Sequence, residues 1–331
     1  MKRLIISSLG IILAGLLALP AWADTANKTP APGTLNYVEG QASIGAESLN
    51  SKSVGSAELQ PGQTLTNRNG KAEILLTPGV FLRLGSNSSV KMISPSLTNT
   101  EVEVQRGEAQ VEVDQIFKQN DLQVREDGAT TRLQKVGLYD FNADQPAVRV
   151  LDGQALLQEG DTRIKIKGSH EVALNAPQLK SQKFDKKNFE TSDALYRWSS
   201  LRSEYIAEAN AEQAPTYILG GGYGPGWWGP GWYWDPAFSF YTFIPGDGVL
   251  YSPFGWGFYS PFWAPAYWAP GYYGHVYPRG PLHPWTHYQP AFHGGFRPAP
   301  EGGFRGGELH TGGFGGGWHG GGVSGGGWRG R

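Results

Sequence analysis

Short runs of β-branched and apolar residues fill the chain between residues 33 and 176, and turn residues interrupt them every 8–12 positions. Such runs predict strands. In residues 101–105 glutamate alternates with valine, which is typical of a strand with one solvated and one buried face. Helical periodicity is absent here, so we predict a mainly β domain, sandwich-like or solenoid-like. The predicted strands are 34–38, 71–76, 80–84, 101–105, 108–113, 137–142, 147–151, 154–158 and 162–166.

Three dipeptides in this domain carry turn signals. Asn69-Gly70 stands between two strand candidates and predicts a hairpin, because both turn positions favour positive φ. Arg106-Gly107 and Asp152-Gly153 are interpreted in the same way.

A helical period begins after a linker at residues 177–190. Thr191 or Ser192 can cap the helix, and Asp193 favours its positive end. The apolar positions fall on one stripe, so we predict an amphipathic helix at residues 191–211 that packs through this stripe, with Trp198 against the β-domain or the aromatic tail. The stripe consists of Leu195, Trp198, Leu201, Tyr205 and Ile206.

Composition changes sharply near Pro215. From there on the chain holds 32 of its 48 glycines and 10 of its 12 tryptophans, and no lysine follows Lys187. Residues 215–293 form an extension rich in glycine, proline and aromatic residues. Residues 294–331 have too few bulky residues to offset the entropy of ordering, so we predict a disordered tail.

The stretch SPFGWGFYSP, residues 252–261, alternates aromatic and glycine positions and is the most strand-like part of the extension. Its rings could dock on the rest of the chain or on an identical neighbour, bind an envelope polymer such as peptidoglycan, or belong to a disordered segment. A membrane-surface role is a further alternative. We predict docking, with partial disorder in the extension. The candidate interaction or docking aromatics are Trp198, Phe254, Trp256, Phe258, Trp263 and Trp268.

The first 23 residues have the form of an export signal. Lys2 and Arg3 precede an apolar run at residues 4–19, and Ala21-Trp22-Ala23 fits the cleavage rule. We expect cleavage after Ala23, a linker at residues 24–32, and a periplasmic or secreted protein without a transmembrane segment. The chain has no cysteine, which excludes disulfides and thiol catalysis, and its net charge of -1 gives no reason to expect a nucleic-acid partner.

No motif predicts catalysis, a cofactor or a metal site. Residues 322–326 match G-x-S-x-G and residues 315–320 match G-x-G-x-x-G, but both lie in glycine runs without the required strand and helix. His283 and His287 have the spacing of a helical metal pair, which the neighbouring prolines oppose. The carboxylate pairs Glu101/Glu103 and Glu112/Asp114 are interpreted as solvated sheet faces.

The order of glycine-punctuated β-runs resembles the FecR domain, the periplasmic module of the iron-dicitrate regulator family. The resemblance covers residues 33–175 and rests on GTLNYVEGQASI, TPGVFLRLGSNSSVKMISPSL, VEVQRGEAQVEV and GLYDFNADQPAVRVLDGQALL. It implies protein–protein signalling with an outer-membrane partner. We do not expect sigma-factor control, because we expect no cytoplasmic segment before the export signal.

We therefore expect an exported, non-enzymatic protein whose β-domain serves envelope interaction or signal sensing. Its partner would be an envelope protein or polysaccharide. The alternative is a carbohydrate-binding, peptidoglycan-binding or structural envelope protein that uses the tail aromatics. Neither the partner nor the oligomeric state follows from the residues.

Overall fold

The structure, a computed structural model, describes residues 30–219 and 229–264. It is mainly β, which confirms the predicted fold class. The strands of the main sheet are β1 Leu35–Ile44, β2 Glu47–Leu49, β3 Thr64–Thr77, β4 Val80–Leu84, β5 Ser88–Ser96, β6 Asn99–Arg106, β7 Glu108–Val113, β8 Leu122–Glu126, β9 Ala129–Leu133, β10 Gly137–Asn142, β11 Ala147–Val150, β12 Gln154–Glu159, β13 Thr162–Lys167, β14 His170–Ala173 and β15 Gln182–Lys183. The helices are α1 Lys186–Ser192, α2 Ala194–Gln213 and α3 Thr216–Leu219, and two hairpins follow, β16 Gly231–Asp235 with β17 Phe240–Ile244 and β18 Val249–Tyr251 with β19 Gly257–Tyr259.

The main sheet is a single curled layer. Its strand order is β13-β12-β9-β8-β6-β5-β3-β4-β7-β10-β11-β14-β15, and β1 pairs with β2 and β3 at one side. All neighbours are antiparallel except β6 and β8. The curled sheet forms a half-barrel around an apolar core of valine, leucine and isoleucine side chains.

Asn69-Gly70 is not a hairpin turn, contrary to the prediction. Both residues lie inside β3, where Gly70 pairs with Gly40 and the register with β1 shifts beside Asn69. Gly70 has φ +102° and Gly40 has φ +75°. A Cβ at Gly70 would lie 2.2 Å from the carbonyl oxygen of Glu39, so positive φ serves a bulge where two backbones meet closely.

The other two dipeptides are not hairpin turns either, although Gly107 and Gly153 have the expected positive φ. β6 and β7 flank Arg106-Gly107 but pair with different neighbours, and so do β11 and β12 around Asp152-Gly153. Each dipeptide therefore moves the chain from one part of the curled sheet to another. A dipeptide signal records the need for positive φ, but not which strands pair.

The helices and the two C-terminal hairpins cover one outer face of the sheet; we call residues 186–213 and 231–259 the helix–hairpin layer. Asp193, rather than Thr191 or Ser192, is the N-cap of α2, and its carboxylate accepts a hydrogen bond from the amide of Tyr196. The predicted linker at residues 177–190 contains β15 and most of α1. In SPFGWGFYSP only Gly257–Tyr259 is a strand, and the residues before it form a turn with Gly255 at φ +90°.

No helix within residues 30–219 and 229–264 combines the length and apolar character that spanning a bilayer requires. The predicted signal peptide, the glycine motifs, the histidine pair His283/His287 and the predicted disordered tail lie outside the described residues.

Candidate functional site

Charged side chains are buried between the sheet and α2. Glu73 on β3, Arg83 on β4 and Glu112 on β7 lie on adjacent strands, and each is no more than 1% exposed. Period-two alternation places them on the outer face of the sheet, opposite the apolar core. The expectation that Glu112 and Asp114 form a solvated face is therefore wrong, because α2 covers that face. Glu101 is also buried, at 7% exposure.

Arg83 joins the two glutamates. Its Nε donates to Glu73 Oε2 at 2.7 Å, and its Nη1 donates to Glu112 Oε2. The second oxygen of Glu112 accepts the hydroxyl of Ser203 on α2 at 2.6 Å. Arg83 thus links β4 to β3 and β7, and Glu112 extends this link to Ser203 of α2.

Arg202 brings a second positive charge from α2. Its Nε donates to Glu73 Oε1 at 3.0 Å, and its Nη2 donates to the carbonyl of Asn36 on β1 at 3.1 Å. The Phe240 ring lies 4.0 Å from the guanidinium carbon and covers its other side. Glu73, Arg83, Glu112 and Arg202, which we call the ion network, sum to zero charge.

Asn36 extends the ion network to the first C-terminal hairpin. Its amide nitrogen donates to Glu73 Oε1 at 2.9 Å and to the carbonyl of Tyr241 at 3.0 Å. Its oxygen accepts the amide of Tyr241 at 2.7 Å. A side chain of the sheet therefore takes part in the backbone pairing of β17.

The ion network sets the protonation of its members. Although burial opposes ionisation, Arg202 and Arg83 lower the pKa of Glu73 below its usual range. Asp114 lies beside them, fully buried. Burial and the neighbouring carboxylate of Glu112 raise the pKa of Asp114 well above its usual range. Burial therefore favours the neutral form of Asp114, whereas the two arginines favour the charged form of Glu73.

A second group of carboxyls lies where α1 meets α2; Glu108, Asp140 and Asp193 form this carboxyl cluster. Burial, Asp140 and Asp193 raise the pKa of Glu108 to about 9. Burial raises the pKa of Asp140 to about 6, although Arg149 opposes this with an ion pair of 3.0 Å. The amide of Gln110 on β7 donates to Asp140 on β10 and to Asp193, which links the start of α2 to both strands.

The buried charges of the ion network hold the sheet and α2 together. The side chains of Glu73 and Glu112 are fully buried, so a substrate cannot contact them. Within residues 30–219 and 229–264, no three His, Asp or Glu side chains are arranged to hold a metal ion.

The predicted docking aromatics of SPFGWGFYSP contact α2. Phe258 is fully buried beside Phe243, with ring centroids 5.8 Å apart. Phe254 is half-buried against Tyr196 at 5.3 Å, and the indole nitrogen of Trp256 donates to the carbonyl of Ser200 at 3.2 Å. The turn and the strand together place all three rings against the helix.

The other candidate aromatics are distributed differently. Trp198 is half-buried and packs on Tyr37 of β1, with centroids 5.3 Å apart. Trp263 is 59% exposed, and its indole nitrogen donates to Asp247 at 3.1 Å. Trp268 lies outside the described residues.

The predicted buried stripe of α2 is displaced by about a quarter of a turn. Leu195 and Ile206 are buried, but Leu201 and Tyr205 are 48% and 45% exposed. The helix instead buries polar residues that bond to the ion network and to the hairpins. The buried residues are Leu195, Ser199, Arg202, Ser203, Ile206, Ala207, Ala209 and Asn210.

Glu73, Arg83, Arg202 and Asn210 are not among the candidate residues predicted from the sequence. A usable signal was present for the first two, because AEILL and VFLRL each place one charge within an apolar run. A charge in such a run has to be paired when the strand is covered on both faces. Nothing local identifies Arg202 and Asn210, whose partners lie far along the chain.

Residues 63–156 match the family model of FecR protein. The chain therefore carries a FecR domain, as the resemblance predicted. The match runs from the start of β3 into β12 and includes three members of the ion network. Arg202 lies beyond it. No curated protein matches the chain.

Two crystal structures of candidate anti-sigma factors from Parabacteroides distasonis ATCC 8503, solved at 2.50 Å and 1.65 Å, are similar to this chain. Both are 16% identical to it, with TM-scores of 0.33 and 0.32. The similarity covers 38% and 37% of this chain, and 61% and 59% of those chains. The chain thus spans about three fifths of their length.

Proposed function

We propose that this chain is an exported, non-enzymatic FecR-domain protein that acts in the cell envelope as a protein-interaction or signal-sensing module. The FecR match over residues 63–156 carries this proposal, because it assigns the β-domain to a regulatory rather than a catalytic family. The apolar run and Ala21-Trp22-Ala23 support export.

The distribution of charge in the β-domain supports a binding role. The buried ionisable groups of the ion network hold α2 and β17 in place. In contrast, Arg163, Lys165 and Lys167 stand exposed on β13, at one end of the sheet. A rigid sheet with an exposed charged strand is suited to contact with another macromolecule.

Export is tested by sequencing the amino terminus of the protein recovered from the periplasm or the medium. We expect Asp24 at the amino terminus, and we expect Ala23→Arg to block cleavage. Recovery of uncleaved wild-type protein from the cytoplasm would contradict export.

The interaction is tested by placing a photo-crosslinking residue at Arg163 or Lys165 of the full chain, in cells of the source organism. We expect a discrete protein adduct, which is lost when the crosslinker stands at the buried Val172 instead. Co-sedimentation with isolated peptidoglycan that Trp263→Ala abolishes would favour the polymer-binding alternative. Hydrolytic turnover of an envelope substrate would overturn the non-enzymatic assignment.

A further inference from the structure

β13 is the terminal strand at one end of the main sheet and has one unpaired edge. Within residues 30–219 and 229–264 it pairs only with β12. The next strand along the chain, β14, pairs with β11 and β15 instead. An unpaired edge presents a row of backbone N–H and C=O groups to which another strand can bind. The chemistry of β13 therefore decides which kind of segment fits this edge.

The register of β13 identifies the backbone groups on the unpaired edge. The amide of Gly168 donates to the carbonyl of Gly153 at 3.1 Å, in the register of the ladder between β13 and β12. Hydrogen-bonded and non-hydrogen-bonded pairs alternate in an antiparallel ladder, so every second residue counted back from Gly168 bonds to β12. The residues between them, Arg163, Lys165 and Lys167, direct their N–H and C=O groups to the unpaired edge.

The side chains of the same three residues are exposed and cationic. Within the described part of the chain none of them forms an ion pair. Residues 160–169 carry these three cations against one acid, Asp161, a net charge of +2. The outer-face positions beside them on β12 and β9 carry no acid, so the edge favours an acidic partner. These positions are Gln154, Leu156, Gln158, Thr130 and Arg132.

The inner face of β13 is apolar. Ile166 is buried, and Ile164 is partly buried against the core of the sheet. An added strand continues both faces, because its side chains alternate between them with period two. Its side chains beside Arg163 and Lys165 lie on the outer face, and those beside Ile164 lie on the core side. The segment that fits therefore alternates acidic and apolar residues.

We propose that the edge of β13 binds an extended segment of a partner protein, with alternating acidic and apolar residues, as an additional strand of the sheet. The assignment rests on the proposed interaction role and adds the chemistry of the partner. Backbone hydrogen bonds to Arg163, Lys165 and Lys167 hold the segment, and its carboxylates pair with the three cations. A second copy of this chain does not fit, because two antiparallel β13 strands would place cation opposite cation.

The acidic pattern is tested by fluorescence anisotropy with the full chain and a synthetic peptide of alternating glutamate and valine. The comparison peptide has the same composition with its glutamates in one block. We expect the alternating peptide to bind about tenfold more tightly, which corresponds to about two cross-strand ion pairs. Arg163→Gln with Lys165→Gln should remove this preference. Arg68→Gln with Lys118→Gln, which removes two exposed cations elsewhere, should keep it.

Two results of this experiment would overturn the proposal. If neither peptide binds, the edge does not accept an acidic strand. If both peptides bind equally, the cations attract polyanions in general, and a charged envelope polymer becomes the favoured ligand of this face.

Backbone pairing is tested by amide hydrogen exchange of the full chain. With the alternating peptide present, the amides of Arg163 and Lys165 should gain protection, whereas those of β2, a short strand that pairs only with β1, should not. Binding without this gain would overturn strand addition.

The crosslinking experiment in cells tests the interaction role separately. A protein adduct at Lys165 without selectivity for the alternating peptide would keep the role and overturn the strand chemistry. Selectivity for the peptide without an adduct would support the strand chemistry and contradict the role.

Discussion

Glu73 is the residue on which the contact between sheet and helix depends most. It accepts hydrogen bonds from Asn36, Arg83 and Arg202, which come from β1, β4 and α2. A buried carboxylate with two arginines adds little net stability, because removing the charges from water costs about as much as their attraction returns. It does select one arrangement, since any other docking of α2 leaves a charge unpaired.

Removal of that charge should therefore be costly. We expect Glu73→Gln to lower the free energy of unfolding by about 3–5 kcal/mol, because Arg83 and Arg202 would retain only Glu112 as a countercharge. The measurement is urea denaturation followed by tryptophan fluorescence. Glu47→Gln is the matched control: this side chain is exposed, and its change should be within about 0.5 kcal/mol. Equal effects would contradict the role of the ion network.

Phe258 and Trp263 provide a second comparison at this scale. Phe258 is fully buried and Trp263 is 59% exposed, although they lie five residues apart in the same aromatic segment. We expect Phe258→Ala to cost about 3–5 kcal/mol through lost burial and a cavity. Trp263→Ala should cost about 1 kcal/mol or less, since it loses an exposed hydrogen bond to Asp247. Thermal unfolding of both variants measures the difference, and a similar loss in both would exclude docking of Phe258.

Among the elements, α2 fixes both hairpins through one side chain. Asn210 donates from its amide nitrogen to the carbonyls of Phe243 and Tyr259, at 2.9 and 3.0 Å. Its oxygen accepts the amide of Tyr259 at 2.7 Å. The helix thereby completes the backbone hydrogen bonding of β17 and β19, which belong to small separate sheets.

We expect Asn210→Ala to lower the free energy of unfolding by about 2–4 kcal/mol, because three buried backbone groups lose their partner. Loss of protection from hydrogen exchange should concentrate in β18 and β19, whereas β3, β4 and β7 should keep theirs. Asn99→Ala, at an exposed strand end, is the control. Uniform loss across the whole chain would show that Asn210 does not act locally.

The local hydrophobic pattern correctly predicted the strands whose sequences are apolar or alternate regularly. Val80–Leu84, Glu108–Val113 and Gly137–Asn142 have the predicted bounds. The pattern does not predict β5, because Ser88–Ser96 contains Pro95 and four serines, which have low strand propensity. This segment is a strand because it pairs with β3 and β6. Hydrophobic pattern alone also misplaced the buried side of α2, because that side carries Arg202, whose ion-pair partner Glu73 lies 129 positions away.

The candidate site could not be predicted from the sequence for a related reason. Alternating Glu112 with Val111 and Val113 is the pattern of a solvated strand face, and a covering helix leaves that pattern unchanged. Only the three-dimensional arrangement shows that Arg83 and Ser203 replace water around Glu112.

The molecule as a whole carries an unusual set of buried acids, and these couple its stability to pH. The pKa values of Glu108, Glu126 and Asp140 are raised to about 9, 8 and 6, and that of Asp114 is raised as well, in each case first by burial. The ordinary pKa values of these carboxyls are near 4. At a pH between about 4 and the raised values, the native state therefore binds more protons than the unfolded state. Its free energy of unfolding must then fall as pH rises.

Glu73 acts in the opposite direction. Its pKa is lowered by Arg202 and Arg83 despite burial, so its contribution is present above its ordinary value and is lost only as pH falls below about 4. The two tendencies together place the stability maximum near pH 5. A net difference of one bound proton changes the free energy of unfolding by about 1.4 kcal/mol per pH unit, so the decline towards pH 9 should be readily measurable.

Glu108→Gln isolates one member of this set. The amide cannot ionise, so the variant avoids placing a third negative charge beside Asp140 and Asp193 at high pH. We expect the variant to be more stable than the wild type by at least about 1 kcal/mol at pH 9, and close to it at pH 5. Urea denaturation at pH 5, 7 and 9 measures both proteins, and Glu103→Gln on the half-exposed part of β6 is the control. A wild-type stability that rises from pH 5 to pH 9, or a variant with the same slope as the wild type, would show that the carboxyl cluster does not hold its extra proton.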